Sequence, residues 1–449
     1  MEKLLEMAKQ RADQVEIYSY SSSSNDLSFE NFKLDKIKNS IQTGVALRLI
    51  KDGFIGMSYT KNLLDRTKLI ENALTSIKGK IKAKFSFPFN SQNLHSFEIY
   101  DKSIENIKFE TLAEEYKQIS NYIKENLNSN ANAAVAATLN IMGSYGSNSI
   151  RILNSNGIDY KGNSSYYFNY PHLLFPNGYS HVRSLTFARS YKPMNKEKIQ
   201  KMIDLYYKAY PEVNVTPGNY PTIFTPDVLY VLMWRFTIGA NAKSLYEKIT
   251  PLENKLGEEI FSKKLTIIDD PHMSDQILPR SFDDEGVTTS KLTIVDKGIF
   301  KNFYNNLEYA EKLKATPTGH GYKESAMGGD EPVSIKVSPT LNHLTILPGN
   351  ENDSFIEMIK KMKKGVIVLG ALGAHSGNLL NGDFSIGLAA GLYVENGEII
   401  GRIKNGMVAG NIYQLMKNVS MVENKVHKTL GPNGGRYPSI CFDDVKLSQ

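Results

Sequence analysis

A single cysteine, Cys441, and a single tryptophan, Trp234, stand among 449 residues. One cysteine excludes an intramolecular disulfide framework and any cysteine-rich zinc cluster, and suits a reducing, cytoplasmic setting. Long apolar runs are missing too. No stretch approaches the roughly 20 residues of a membrane span, and the longest runs, Val366 to Leu372 and Ile386 to Val394, carry glycines and are strand-length. No membrane partner is expected. The first residues, with Glu2 and Glu6 and no apolar core, do not read as a secretion signal. Charge of one sign is scarce as well: 53 basic residues face 47 acidic ones, for a net +6. The densest basic runs, Lys78 to Lys84 and Lys360 to Lys364, read as solvated surface, so nucleic acid is not an expected partner. None of the eight histidines is followed by glutamate, which excludes an H-E-x-x-H zinc helix. The one Gly-Lys pair, Gly79-Lys80, is followed by Ile81, so there is no phosphate-binding loop, and no G-x-S-x-G elbow occurs.

What is present is ordinary globular composition, 41% hydrophobic and 22% charged, with 25 Tyr and 20 Phe for packing. The length calls for at least two domains. Helical spacing marks Met1 to Ala12, Asn62 to Lys78 and Ile104 to Asn126. Between them "VEIYSYSS", "DLSFENFKLDKIKNS" and "GVALRLIKDGFIGMSY" alternate as strands, with hairpin turns at Asp52-Gly53, Asn156-Gly157 and Asn396-Gly397. The expected fold class is α+β: a strand-rich N-terminal part with flanking helices and a β-rich C-terminal domain of mostly antiparallel strands. The expected N-terminal α+β domain is 1–215, divisible into 1–85 and 100–215. The C-terminal domain is 220–449, after a boundary where Pro211, Pro217, Gly218 and Pro221 cluster.

That boundary leads into "VLMWRFTIGANAKSLYEK", a helix that Thr225 is placed to cap, with Pro226 at its first position and Val228, Leu232 and Phe236 on one face. Two polar constellations follow. "RSFDDEGVTTS" sets Asp283, Asp284 and Glu285 before Gly286, suited to a cation or to peptide amides, or simply to an acidic turn entering a strand. "TPTGHGYKESAMGGDEP" is a glycine-rich loop bearing His320, Lys323 and Glu324, of the kind that carries function or merely connects. Asp383 and Ser385 lie in "NGDFSIGLAAGLYVENGEI"; Gly382 and Gly410 read as backbone-turn residues. Cys441, in "YPSICF", reads as a small core residue.

The ordered set "KDGFIGMS", "KLGEEI", "LTIIDDP", "RSFDDEGV", "TPTGHGYKES", "ILPGN", "NGDFSIGLAAGLYVENGEI" and "VAGN" resembles the TldD/PmbA family, once called modulators of DNA gyrase and regarded as metalloproteases. TldD-type members carry an H-E-x-x-x-H helix before the "LGE" segment and a later cysteine that completes a zinc site. PmbA-type members, also called TldE, lack these. Counted back from Leu256-Gly257-Glu258, that helix falls at Met233 to Ile238, and the cysteine's place is near "LGPNGGRY" rather than at Cys441. The resemblance therefore implies a PmbA/TldE-type subunit with no metal or cofactor of its own. Its zinc would come from a TldD-type partner in a heterodimer that encloses an unfolded peptide substrate; a non-catalytic homodimer that binds peptides is the alternative. Asp283, Asp284, Glu285, His320, Lys323, Glu324, Asp383 and Ser385 are expected to line the substrate cavity or order its loops, none with a catalytic role.

Overall fold

Two long strands, β1 (Gln14–Glu30) and β2 (Lys33–Lys51), form an antiparallel ladder from Gln14 against Ile50 to Glu30 against Lys33, with one bulge at Ser28/Phe29. β3 (Phe54–Thr60) follows across Asp52-Gly53, where φ is +51° and +76°. Both signs are those of a mirror-image hairpin turn, whose twist matches that of the strands it joins. β4 (Thr138–Asn154) pairs with β1 and β5 (Asp159–Leu174) with β4. Two short strands, β6 (His181–Arg183) and β7 (Thr186–Ala188), pair with β5. In this computed structural model, which describes residues 1–91, 94–127, 137–176, 178–273, 278–324, 331–429 and 435–449, they make one seven-stranded antiparallel sheet. It runs through both 1–85 and 100–215, because β1 of the first stretch is hydrogen-bonded to β4 of the second.

Amphipathic helices cover this sheet. Arg66–Ser76 buries Leu69, Ile70 and Ala73, and Phe109–Leu127 buries Leu112, Tyr116, Ile119 and Ile123, the three-and-four spacing of a core-facing stripe. The second starts later than the sequence predicts, since Ile107 is extended (φ −70°, ψ 126°) and Lys102–Asn106 is only a 3-10 turn. A further helix, Lys196–Ala209, buries Ile199, Met202, Ile203 and Tyr206 in a core shared with Ile223, Ile367, Leu392 and Cys441 of the C-terminal half.

The C-terminal half is strand-rich as expected. β8 (Glu212–Val213) and β9 (Gly218–Phe224) come first. Next are β10 (Ile267–Asp269), β11 (Leu292–Asp296), β12 (Ile299–Phe300), β13 (Gly321–Tyr322), β14 (Ser338–Pro339) and β15 (Leu344–Ile346). β16 (Lys364–Leu372), β17 (Asp383–Glu395), β18 (Glu398–Ile403), β19 (Met407–Asn411), β20 (Val419–Val422), β21 (His427–Thr429), β22 (Gly435–Tyr437) and β23 (Ile440–Ser448) complete it. Among the described residues one sheet runs β16-β9-β23-β19-β17-β18-β8, and an added β16–β17 pairing closes five of these strands into a ring. Closure leaves those strands without open edges. A second sheet runs β12-β11-β10-β15-β22-β21, and β13 pairs with β14 alone. Most pairings are antiparallel; β16 with β9, β18 with β8 and β15 with β22 are parallel.

The tryptophan helix, Pro226–Gly239, lies in this core. Val228, Leu229, Val231, Leu232, Met233 and Phe236 are buried with Phe224, Ile267, Val368 and Phe384, so the helix is apolar nearly all round, as buried helices are. Thr225 does not cap it through its side chain as the sequence suggests. Its hydroxyl donates to the Val368 carbonyl at 3.0 Å, and only its main-chain oxygen receives the amides of Val228 and Leu229. The strand neighbour has outcompeted the helix for that hydroxyl. Gly410 is likewise no turn residue: it lies inside β19, where an added Cβ would come 3.1 Å from the Phe384 ring, whereas Gly382 does hold a positive φ of 86°. Cys441 is fully buried in β23, and burial pushes its thiol up to about 11. Among the described residues no helix is long and apolar enough to cross a membrane.

Leu232 is wholly enclosed, so Leu232→Ala should cost about 2–5 kcal/mol. The check is a lowered urea midpoint at unchanged slope.

Candidate functional site

Glu16 on β1 and Arg48 on β2 face each other in register, both buried amid the apolar residues of their strands. Arg48 donates Nε and Nη2 to the two Glu16 oxygens, each at 2.7 Å, and Nη1 to Glu285 Oε1 at 2.8 Å. Glu285 Oε2 accepts the Leu307 amide at 2.8 Å. A planar guanidinium suits this double engagement, since its fork matches one carboxylate while a third donor reaches another. Burial pushes Glu16 upward from the ordinary carboxylate range, against the lowering pull of Arg48.

Beside Glu285, Asp283 folds the acidic turn around itself. Its Oδ1 accepts the amides of Glu285 and Val287, each at 2.9 Å, and its Oδ2 accepts that of Gly321 at 2.8 Å. Burial and the adjacent Glu285 charge raise its carboxyl, opposed by these amides. Asp284 accepts Arg280 Nη2 at 2.7 Å and the Lys323 amide at 2.8 Å, while its own amide bonds to the Gly321 carbonyl. The turn thus holds β13 by its main chain. Gly321 has to be glycine, because an added Cβ would lie 2.5 Å from Glu285 Oε2. Lys323 donates to the Ile335 carbonyl at 2.8 Å and lies over the Tyr18 ring; burial lowers its ammonium to about 8. On the other flank His320 Nε2 is 3.3 Å from Asp269 Oδ2, and Asp269 Oδ1 accepts the His343 amide. Burial opposes ionisation of Asp269, yet the contacts of both histidines hold it well below the usual range.

This buried hub sets one wall of an open cleft of about 360 Å³. The far wall is the tryptophan helix, whose half-buried Trp234 and Ile238 are four residues apart and so share a face. Tyr304 closes the floor, donating its hydroxyl to the Thr237 carbonyl, and Asn241 ties helix to strand by donating to the Pro339 carbonyl at 2.9 Å. Glu324, two residues past the end of β13, stands on the hub side and accepts from Asn342 at 2.7 Å. It is accessible to water, although protein surrounds it on most sides. That enclosure, followed by the nearby Asp284 charge, pushes its carboxyl up to about 7.

Of the eight residues the sequence singled out, Glu324 lines this cleft. Asp283, Asp284, Glu285 and His320 are buried in the hub, and Lys323 lines a separate cavity of about 320 Å³ with Arg48. Asp383 and Ser385 begin β17. The Asp383 side chain is exposed and accepts from Asn411 at 2.8 Å, and the Ser385 amide bonds to the Ser376 carbonyl. The residues that sequence reasoning passed over are Glu16, Arg48 and Arg235. Arg235, on the tryptophan helix, is fully buried and donates to three main-chain carbonyls, those of Asp383 (2.8 Å), Val231 (2.7 Å) and Ser376 (2.7 Å). The available signal was a charge inside an apolar run, "VALRLI" for Arg48 and "LMWRFTI" for Arg235, since such charges persist in a core only when paired. Among the described residues no group of three or more His, Cys, Asp and Glu is arranged to hold a metal ion. Most of the predicted cysteine locus, 430–434, lies outside the described residues, as does 325–330 of the predicted glycine-rich loop.

The family model described as the PmbA/TldA metallopeptidase C-terminal domain matches residues 217–449, and that of PmbA/TldA metallopeptidase domain 1 matches 15–77. An uncharacterized protein of Methanocaldococcus jannaschii is 25% identical over 436 residues, 93% of each chain. A metalloprotease PmbA homolog of Buchnera aphidicola is 27% identical over 400 residues, 86% of this chain and 80% of the relative. In fold, the crystal structure of TldE from Thermococcus kodakarensis superposes with a TM-score of 0.88 over 100% of both chains at 23% identity.

The Glu16–Arg48–Glu285 arrangement generates a stability prediction. Arg48→Met leaves two buried carboxylates without their cation and should cost about 3–5 kcal/mol. Denaturant unfolding at pH 7 checks it, with Lys201→Met, which breaks an exposed pair with Glu197, expected to change stability by less than about 1 kcal/mol.

Proposed function

The chain belongs to the PmbA/TldA metallopeptidase family, and from that membership we propose that it serves as the PmbA/TldE-type, metal-free half of a peptidase. In this reading it holds part of an unfolded peptide while a TldD-type partner supplies zinc and cuts. One observation carries the proposal. By the count back from Leu256-Gly257-Glu258 that the resemblance implies, the zinc helix would fall on the tryptophan helix, and the residues there do not fit the ion. Met233 is buried in the core, Trp234 and Ile238 supply an indole and an alkyl chain to the cleft, and the charged group of the segment is the Arg235 cation. A guanidinium bonded to three main-chain carbonyls repels a metal ion and offers it no lone pair. No catalytic step is therefore assigned to this chain.

What the chain does offer is a wall for a peptide. The cleft combines apolar surface from Trp234, Ile238 and Leu380 with the carboxylates of Glu247 and Glu324, so an extended segment meets both greasy and hydrogen-bonding groups. Such a surface makes few sequence demands. An unstructured chain can enter a cleft of this size, and a folded domain cannot.

Metal analysis of the purified chain, alone and after mixing with an H-E-x-x-x-H relative from the same genome, tests the reading. The expected result is no stoichiometric zinc in the chain alone, a stable mixed complex, and cleavage of an unfolded protein only by the mixture. Stoichiometric zinc together with cleavage by the isolated chain would overturn it.

A further inference from the structure

The cleft beside Trp234 has a chemical bias beyond its shape. Two carboxylates, Glu247 and Glu324, line it against one ammonium, Lys243, so with Glu324 ionised it carries one more negative than positive charge. Glu324 is fixed by the Asn342 amide on one oxygen, and among the described residues its other oxygen is open to a guest. Opposite stand Trp234 and Ile238, with Leu380 at the rim. An aromatic face, an alkyl lining and an accessible carboxylate are together the complement of a cation on an aliphatic stem.

We propose that this cleft selects unfolded peptides carrying a lysine or arginine. The stem of that side chain lies along Ile238 and Leu380, and its cation sits between the Trp234 indole and the Glu324 carboxylate. The proposal rests on the reading that the cleft receives peptide, and it names the substrate class of that site. Free amines without a peptide chain would meet the same two groups but forgo contact with the rest of the cleft wall, so they bind more weakly.

A dependence on pH follows. The groups facing Glu324 are Asp284, which adds to the effect of enclosure in raising its carboxyl to about 7, Arg280 and His343, which oppose that rise, Asn342, Tyr18, and across the cleft Lys243 and Glu247. Glu324 is neutral below about 7 and charged above it. A cationic guest pairs with the charged form, so its affinity climbs as pH rises from 6 to 8.

Trp234 is the only tryptophan, so fluorescence reports occupancy of this cleft without interference. The full chain is titrated with unstructured glycine-serine peptides bearing one central lysine, arginine, norleucine or glutamate, with calorimetry in parallel. Expected are a Trp234 signal and roughly tenfold tighter binding of lysine and arginine peptides than of the norleucine peptide at pH 8. The preference should shrink several-fold at pH 6. Glu324→Gln, a near-isosteric change at a water-accessible position, should cut it several-fold at pH 8 and remove its dependence on pH. Equal affinity for lysine and norleucine peptides, tighter binding of the glutamate peptide, or calorimetric binding with no change in Trp234 emission would overturn this inference and leave the broader reading intact. No binding of any peptide by either method would overturn both.

Discussion

Arg48 is the interaction on which the rest of the molecule turns. One guanidinium, donated by the long N-terminal sheet, is shared between a carboxylate of that same sheet and one from the acidic turn of the C-terminal half. Neither Glu16 nor Glu285 has another cation bonded to it among the described residues, and both are almost completely buried. Breaking the arrangement exposes the full desolvation penalty of each. Its value to the fold is therefore positional. It fixes how the acidic turn meets the sheet, and through Asp283 and Asp284 that turn holds the main chain of β13, on whose continuation Glu324 reaches the cleft. A second buried guanidinium, Arg235, plays the corresponding part on the other wall, tying the tryptophan helix to the start of β17 and to Ser376 by carbonyl oxygens alone.

Much of this was legible in the chain before any coordinates. The turns at Asp52-Gly53 and Asn396-Gly397 are marked by residue types that tolerate positive φ, and both positions adopt it. The α+β class followed from alternation in the strands and three-and-four spacing in the helices. The acidic triplet and the histidine, lysine and glutamate of the following loop do converge in space. What the sequence could not disclose was the division of labour among them. Asp283 and Glu324 are both carboxylates in polar segments, yet one folds inward onto three amides and the other faces water, a distinction set by the β13–β14 pairing. Thr225 illustrates the same limit: a correct cap residue by type, diverted by a strand carbonyl that only the tertiary fold brings near. Arg48 and Arg235 were missed because an isolated charge in an apolar run says that a partner exists without saying which.

The family gives the chain its setting, and the helix at Met233 to Ile238 gives it its particular character. In the place implied for a zinc-binding helix stands a packed one, stabilised by its own buried cation and showing an indole to a cleft. We regard this as a surface for holding rather than cutting. On the proposed reading, the negative charge that Glu324 adds when ionised supplies a preference among peptides.

The central claim is that peptide is held against the tryptophan helix. Hydrogen exchange of the chain mixed with an H-E-x-x-x-H relative from the same genome, compared with and without a non-cleavable unfolded peptide, tests it most directly. The account predicts added protection in 234–250 and 338–342, the two walls of the cleft. Protection confined to other surfaces, with these segments unchanged, would contradict it.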